Sequence, residues 1–327
     1  MLLKKFEDCI FVHGHKNSLI VDLGRRYFLK VEKKVLTEIE SKLNITYKSG
    51  NNFIDFLIES DVLFLISEED KNNFIPLNKR WVEPSIIDNA IIKCSPNLYE
   101  SVFNVLEELL CYNVTIIAAK EELEDLSVFL SFLSKNIKYK IFQNVNIYLE
   151  EKYQTKMKNN IAQFMNETPN VQQLFLIKNK KTFEICKSYM DHRQAMASTS
   201  EIISTKNRIF FNPTIYFYLD SLFFNTSSNK RLFIDKKGEL KNNEYDSEIY
   251  GNILNLSSDE VKAIIQSRYF QKKWKISKDK VVICKDCEYR YICEDLTPIV
   301  RGKDQKWYRA EKCDYDPYLS LWNSIKE

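Results

Sequence analysis

Between residues 89 and 178 the chain alternates strand-length apolar runs with helical stripes, and this alternation limits the fold more than any other feature. NAIIKC (89–94), VTIIAA (114–119), KIFQNVNIYL (140–149) and QQLFLIK (172–178) read as strands. Val102, Phe103, Leu106, Leu109 and Leu110 form one helical stripe, and the pattern predicts further helices over 121–135 and 152–167. Strands separated by helices of this length indicate βαβ units and a parallel sheet. With right-handed crossovers, such units make a partial βα barrel or an open α/β sheet.

The flanks follow other patterns. CIFVHG (9–14) and SLIVDL (18–23) read as a hairpin around a polar HKN turn, and RRYFLKV adds a third strand. Val35, Leu36, Ile39 and Leu43 are spaced helically, as are Phe53, Ile54, Leu57 and Ile58, and VLFLI (62–66) is a short buried strand. Residues 1–70 are therefore predicted to form a small winged-helix-like unit. Pro76 and Pro84 mark a boundary within 71–85, and the barrel-like region is expected over 85–230. The aromatic run FFNPTIYFYLDSLFFN (210–225) reads as core or a domain seam, with a substrate groove as the alternative. RLFIDKKGEL reads as a hairpin around KKG. Ser257 and Glu260 are spaced as a capping box before Val261, Ile264, Ile265 and Phe270. A third domain is expected over 231–327. The fold class is α/β.

A net charge of +3 gives no basis for a nucleic-acid or anionic-membrane partner. Six glycines leave little material for phosphate loops, and no P-loop, GxGxxG or Ser–His–Asp pattern occurs. No signal peptide and no apolar run of membrane-spanning length is visible, so a cytoplasmic protein without a membrane partner is expected. In a reducing compartment, clustered cysteines point to metal more often than to disulfides.

Four of the 8 cysteines fall within the last third, spaced CxxC-x5-C-x19-C: Cys284, Cys287, Cys293 and Cys313. A CxxC pair puts two thiolates on one tight turn. A third six positions on is brought round by a short turn, and Cys313 closes the set from a distant loop. Four thiolates suit tetrahedral zinc or a 4Fe–4S cluster. Structural thiols without metal are the alternative. Tyr289, Arg290 and Tyr291 crowd the first turn and would shield a cluster or simply pack the tail. Cys9, Cys94, Cys111 and Cys186 are scattered and read as small core hydrophobes.

CKDCEYRYIC (284–293), Cys313 within KCDYDPY and Trp322 together resemble a SPASM domain. More narrowly, they resemble the SPASM-domain peptide maturases of grasp-with-SPASM systems, as do IDKKGELKN (234–242), YGNI (250–253), FQKKWKISKDKV (270–281) and CIFVHGHKNSLIVDL. The resemblance implies one 4Fe–4S cluster on Cys284, Cys287, Cys293 and Cys313. It also implies a ribosomal precursor peptide as substrate, an ATP-grasp ligase as partner, and an N-terminal unit that recognises the precursor against an exposed strand edge. A first auxiliary cluster is not expected, because Asn243 and Asp295, Leu296 and Thr297 stand where related sequences carry cysteines. Radical SAM enzymes hold a catalytic cluster with CxxxCxxC, whereas the corresponding stretch IIKCSPNLYESVFNV offers only Cys94. The central region is thus expected to resemble radical SAM folds without S-adenosylmethionine cleavage, since a fold without its site does not carry the function.

The residues also allow a redox-active peptide-modifying enzyme and a zinc-stabilised peptide-binding module. His13 and His15 read as a solvated turn, with metal binding as the alternative, His192 as inert, Asp314 and Asp316 as loop-shaping, and the lysines of 262–280 as a solvated helix face, with a docking surface for an acidic partner as the alternative.

Overall fold

The computed structural model describes residues 1–80, 83–118, 125–149, 158–178, 182–185 and 210–323. In chain order the elements are β1 (Leu2–Lys5), β2 (Cys9–His13), β3 (Asn17–Asp22), β4 (Tyr27–Glu32), α1 (Lys33–Lys42), α2 (Asn52–Glu59) and β5 (Leu63–Ile66). There follow β6 (Asn89–Ile92), α3 (Tyr99–Glu108), β7 (Asn113–Ala118), α4 (Leu126–Ile137), β8 (Asn144–Leu149), α5 (Lys158–Glu167), β9 (Val171–Lys178) and β10 (Thr182–Ile185). The remainder holds β11 (Phe210–Phe211), α6 (Ile215–Phe223), β12 (Arg231–Ile234), β13 (Glu239–Lys241), β14 (Gly251–Asn252) and α7 (Ser258–Gln266). Short strands close the chain: β15 (Cys293–Glu294), β16 (Ile299–Arg301), β17 (Trp307–Arg309), β18 (Tyr315–Asp316) and β19 (Leu321–Trp322).

The chain divides into two compact units. Residues 1–82, 209–226 and 275–327 form the first, and residues 83–208 and 227–274 form the second. This differs from the three consecutive domains expected over 1–70, 85–230 and 231–327. Residues 231–274 go with the sheet because β12 pairs in parallel with β6, a contact between strands remote in sequence. Residues 275–327 go with the N-terminal unit because they pack on its sheet.

That sheet is the antiparallel meander β2–β3–β4, with Ile10 opposite Val21 and Ile20 opposite Leu29. Its side chains alternate between two cores, as the period-2 geometry of a strand requires. Cys9 and Ile20 join Leu36 and Ile39 of α1 and Ile54 and Leu57 of α2. Ile10, Val12, Leu19 and Val21 point the other way, onto Tyr218 and Leu219 of α6 and onto Tyr289, Ile292, Cys293 and Tyr315. Burial on both faces explains why β2 and β3 read as nearly continuous apolar runs. The aromatic run 210–225 supplies α6, capped by Thr214, whose hydroxyl accepts from Phe217 N at 3.4 Å. β1, which pairs with β5, had no clear sequence signal.

In the second unit the sheet order is β10-β9-β8-β7-β6-β12-β13-β14. Pairing is parallel from β9 to β12 and antiparallel at both ends. The architecture is mixed α/β. Val114, Ile116, Val145 and Ile147 join α3, α4, α5 and α7 in one core. The opposite face carries a register row of Thr115, Asn146 and Gln173, then Ile117, Tyr148 and Phe175. The rings of Tyr148 and Phe175 stack at 4.6 Å. The helices α3, α4, α5 and α7 thus share the first of these faces. The KKG hairpin forms as β12–β13, with Gly238 at φ +79° in the turn. The capping box at Ser257 and Glu260 is complete.

The lysines of 262–280 are not uniformly solvated. Lys273 is buried and pairs with Asp246 at 2.8 Å. Glu248 accepts from Tyr250 Oη at 2.8 Å and lies 3.1 Å from Lys273, with Lys272 also bound to it. Burial pushes the Glu248 carboxyl up, but Lys272, Tyr250 and Lys273 outweigh it and hold it at about 2, from an ordinary 4.5. The stability this adds is complete above pH 4.5 and is lost as pH falls toward 2, because the unfolded chain takes up the proton first. Glu248→Gln is expected to flatten that acid limb, an effect on the order of 2 kcal/mol after allowing for partial exposure. Urea unfolding at several pH values checks it, and an unchanged limb contradicts it.

Candidate metal centre

The four cysteines of the tail are positioned by consecutive tight turns and two short ladders. Val282 N donates to Trp307 O at 2.8 Å, which ties the segment entering the turn to β17. Cys284–Asp286 form a 3₁₀ turn, and Cys287 N donates to Cys284 O at 3.0 Å. The next turn runs from Tyr289, whose carbonyl accepts from Cys293 N at 2.9 Å. Cys293 then opens β15 and pairs with Phe211 of β11. Cys313 lies between β17 and β18.

Cys284, Cys287, Cys293 and Cys313 all line one cavity, which encloses about 410 Å³ of empty space with its open mouth included. Phe211, Tyr289, Tyr315 and Trp322 wall it with aromatic rings. Phe211 stacks on Tyr289 at 4.5 Å, and Tyr289 meets Tyr315 edge-on at 5.0 Å. No group of three or more His, Cys, Asp or Glu among the described residues is arranged to hold a metal ion.

Burial sets their chemistry. It lifts the Cys284 thiol to about 12 despite nearby Lys278, and pushes Cys287 well above its ordinary range, with Cys293 adding to the shift. Cys293 and Cys313 are raised by burial as well, against Lys278 and Arg309 respectively. At pH 7 each keeps its proton, so loading metal here must release protons.

Two cations face the thiols. Lys278 lines the cavity and donates to the carbonyl of Cys293. Arg309 also lines it and clamps Asp295, with Nε to Oδ2 at 2.6 Å and Nη2 to Oδ1 at 3.1 Å. Arg309 further donates to Thr297 Oγ1 at 2.9 Å. Burial works against the Asp295 carboxylate, but Arg309 and Lys278 hold it below its usual range. Arg309 is raised in turn by Asp295, against its own burial. Neither Lys278 nor the Arg309–Asp295 pair carried a sequence signal, because isolated charges in a charge-rich tail look like any solvated surface.

Ile283, immediately before the first cysteine, has φ +72° and ψ −50°. A β-branched residue there is strained, and the conformation lies near that of the rare γ-turn with positive φ. Such strain costs about 1–3 kcal/mol and gathers at functional sites. Ile283→Gly is expected to stabilise the metal-free protein by about 1 kcal/mol net of glycine's entropy. Thermal melting of the metal-free protein measures this, and a lower melting temperature contradicts it.

The other sequence-marked residues go elsewhere. Asn243, which stands where related sequences carry a cysteine of a further cluster, is buried, donates to Ser227 O at 3.3 Å and accepts from Tyr245 N at 2.9 Å. Asp295, the other such position, belongs to the Arg309 clamp. Cys9, Cys94 and Cys111 are fully buried. Cys186 and His192 lie outside the described residues. His13 pairs with Glu40 at 2.7 Å, and His15 sits against Tyr318 at 4.9 Å. Asp316 shapes its loop by accepting from Tyr318 N at 2.8 Å and Leu319 N at 3.1 Å.

No family model matches the chain, and no curated protein matches it. Among solved structures, the chain is similar to part of the E. coli microcin synthetase McbBCD complex. That match has 11% identity and a TM-score of 0.15, and covers 56% of this chain and 63% of that one. The chain thus spans less than two thirds of that relative's length, and a likeness this weak carries no argument. No helix among the described residues is long and apolar enough to cross a membrane.

Proposed function

We propose that Cys284, Cys287, Cys293 and Cys313 hold one 4Fe–4S cluster in a protein that binds a ribosomal precursor peptide and works with an ATP-grasp ligase in its maturation. One observation carries the cluster: all four cysteines line the same cavity. A single zinc ion would draw its sulfurs to about 3.8 Å from one another, given tetrahedral Zn–S bonds near 2.3 Å. A cubane cluster keeps them further apart, because each thiolate binds a different iron. Four cysteines on one cavity match the four irons of a cubane by donor count, and this reading takes that group. Lys278 and Arg309 oppose the negative charge that four thiolates bring, and the aromatic wall limits water.

The cluster in this reading is structural: bound, it supplies a rigid anchor for the 284–313 loops. Residues 89–118 offer no CxxxCxxC, so S-adenosylmethionine cleavage forms no part of the proposal. Peptide recognition is assigned to the β2–β3–β4 sheet, where β4 pairs only with β3 and its other edge is unpaired among the described residues. An extended peptide adds to such an edge through backbone hydrogen bonds.

The peptide reading is tested with peptides translated from short open reading frames beside the chain's gene. Anaerobically prepared full-length protein should retain one of them and show slowed amide exchange in β4. Retention without β4 protection moves the binding site elsewhere, and no retention removes the peptide role.

A further inference from the structure

The hairpin turn between β2 and β3 is bonded directly to the loop that carries three of the four cysteines. His15 N donates to Asp286 O at 2.7 Å. Arg290 Nη1 donates to His13 O at 2.7 Å and to Cys287 O at 2.9 Å, so one guanidinium joins the hairpin to a cysteine's own peptide. Gly14 packs so closely that a Cβ there would lie 2.7 Å from both Glu288 N and Glu288 Oε2. Lys16 Nζ reaches Leu319 O at 3.0 Å, and Asn17 Nδ2 donates to Ser320 Oγ, both beyond Cys313. Behind these bonds, Ile10, Val12, Leu19 and Val21 share a core with Ile292 and Cys293, against which Cys287 and Cys313 also pack.

Resting on the cluster reading above, we infer that metal loading controls the order of the β2–β3–β4 sheet. The far end of the cysteine loop is held by Asn212 N, which donates to Ile292 O, and by Arg290 and Tyr291 on Asp279, whereas its first turn, which carries Cys284 and Cys287, meets the hairpin directly and is entered through the strained Ile283. With the centre bound, the 284–293 loop is rigid and holds the hairpin tip in place. Without it, the first turn of the loop opens and the hairpin loses bonding partners and the part of one core that Tyr289, Ile292 and Cys293 supply. β4 pairs with β3, so the edge assigned to the peptide is ordered or loosened along with the hairpin. Coupling of this kind is reciprocal in free energy: a substitution that loosens the hairpin's contacts with the metal-loaded loop lowers metal affinity. Gly14 therefore becomes a residue that governs metal retention while touching no metal.

Two measurements on the full-length chain test this. The first is amide exchange of anaerobically purified protein before and after stripping with a chelator. Stripping should speed exchange in residues 10–21 by about tenfold or more while β7 and β8 stay unchanged. The second is the rate at which a chelator removes iron from Gly14→Ala protein, expected to rise by about tenfold over wild type because release goes through the opened loop. Unchanged hairpin exchange in a protein that held iron and lost it overturns the coupling and leaves the cluster standing. A protein that takes up no metal at all overturns both, so the two failures are told apart.

Discussion

Cys287→Ala protein purified without oxygen is expected to retain less than about a tenth of the wild-type iron and to unfold at clearly lower temperature, since structural-metal binding is worth roughly 10–16 kcal/mol where it has been measured in zinc peptides. Cys287 shares a turn with Cys284 and packs against the core that contains Ile10 and Leu19. Removing its sulfur as a packing change alone costs far less than losing the centre, about 1–2 kcal/mol for a small buried group. Metal content thus separates the two explanations. Cys111→Ala is the control: Cys111 is fully buried in the core of the other unit, so its loss should lower stability with iron unchanged. Equal iron in the two variants would remove Cys287 from the ligand set.

Arg309→Met should destabilise the first unit by about 3 kcal/mol, because it leaves the buried Asp295 carboxylate with Lys278 as its remaining named cation. Both side chains of the pair are under a tenth exposed, and the clamp is bidentate. The attraction does not make such a pair indispensable; the cost arises from breaking it on one side. Arg309→Met with Asp295→Leu should therefore recover much of the loss, as apolar replacement of a whole buried pair often does. Urea unfolding of both single variants and the double variant forms the cycle. A single-variant cost below about 1 kcal/mol would mean that water reaches Asp295 and that the pair behaves as a surface bridge.

Local patterns in the chain were legible wherever neighbours in sequence are neighbours in space. The β2–β3–β4 meander, α1, α2, the parallel strands β6 to β9 and the cap at Ser257 all follow from periodicity, turn residues and spacing. The four tail cysteines were legible as a set, and they meet at one cavity. Long-range pairings left no such trace. β12 looks like any hairpin strand, and nothing in RLFI says that it lies beside NAII, so the boundary expected at residue 231 falls within the second unit. The docking of the HKN turn on the cysteine loop was hidden for the same reason. Polar turn residues look alike whether they meet water or, as with His15 N, the carbonyl of Asp286. Lys273 and Lys278 were hidden among a run of lysines, because burial of one charge is decided by its partner, here Asp246 for the first.

Elemental analysis tests most directly whether Cys284, Cys287, Cys293 and Cys313 hold a multi-iron centre. Protein purified and kept without oxygen should carry iron and acid-labile sulfide at about four of each per chain, with zinc well below one. Stoichiometric zinc with no sulfide, or a protein that neither carries nor takes up metal, would contradict it.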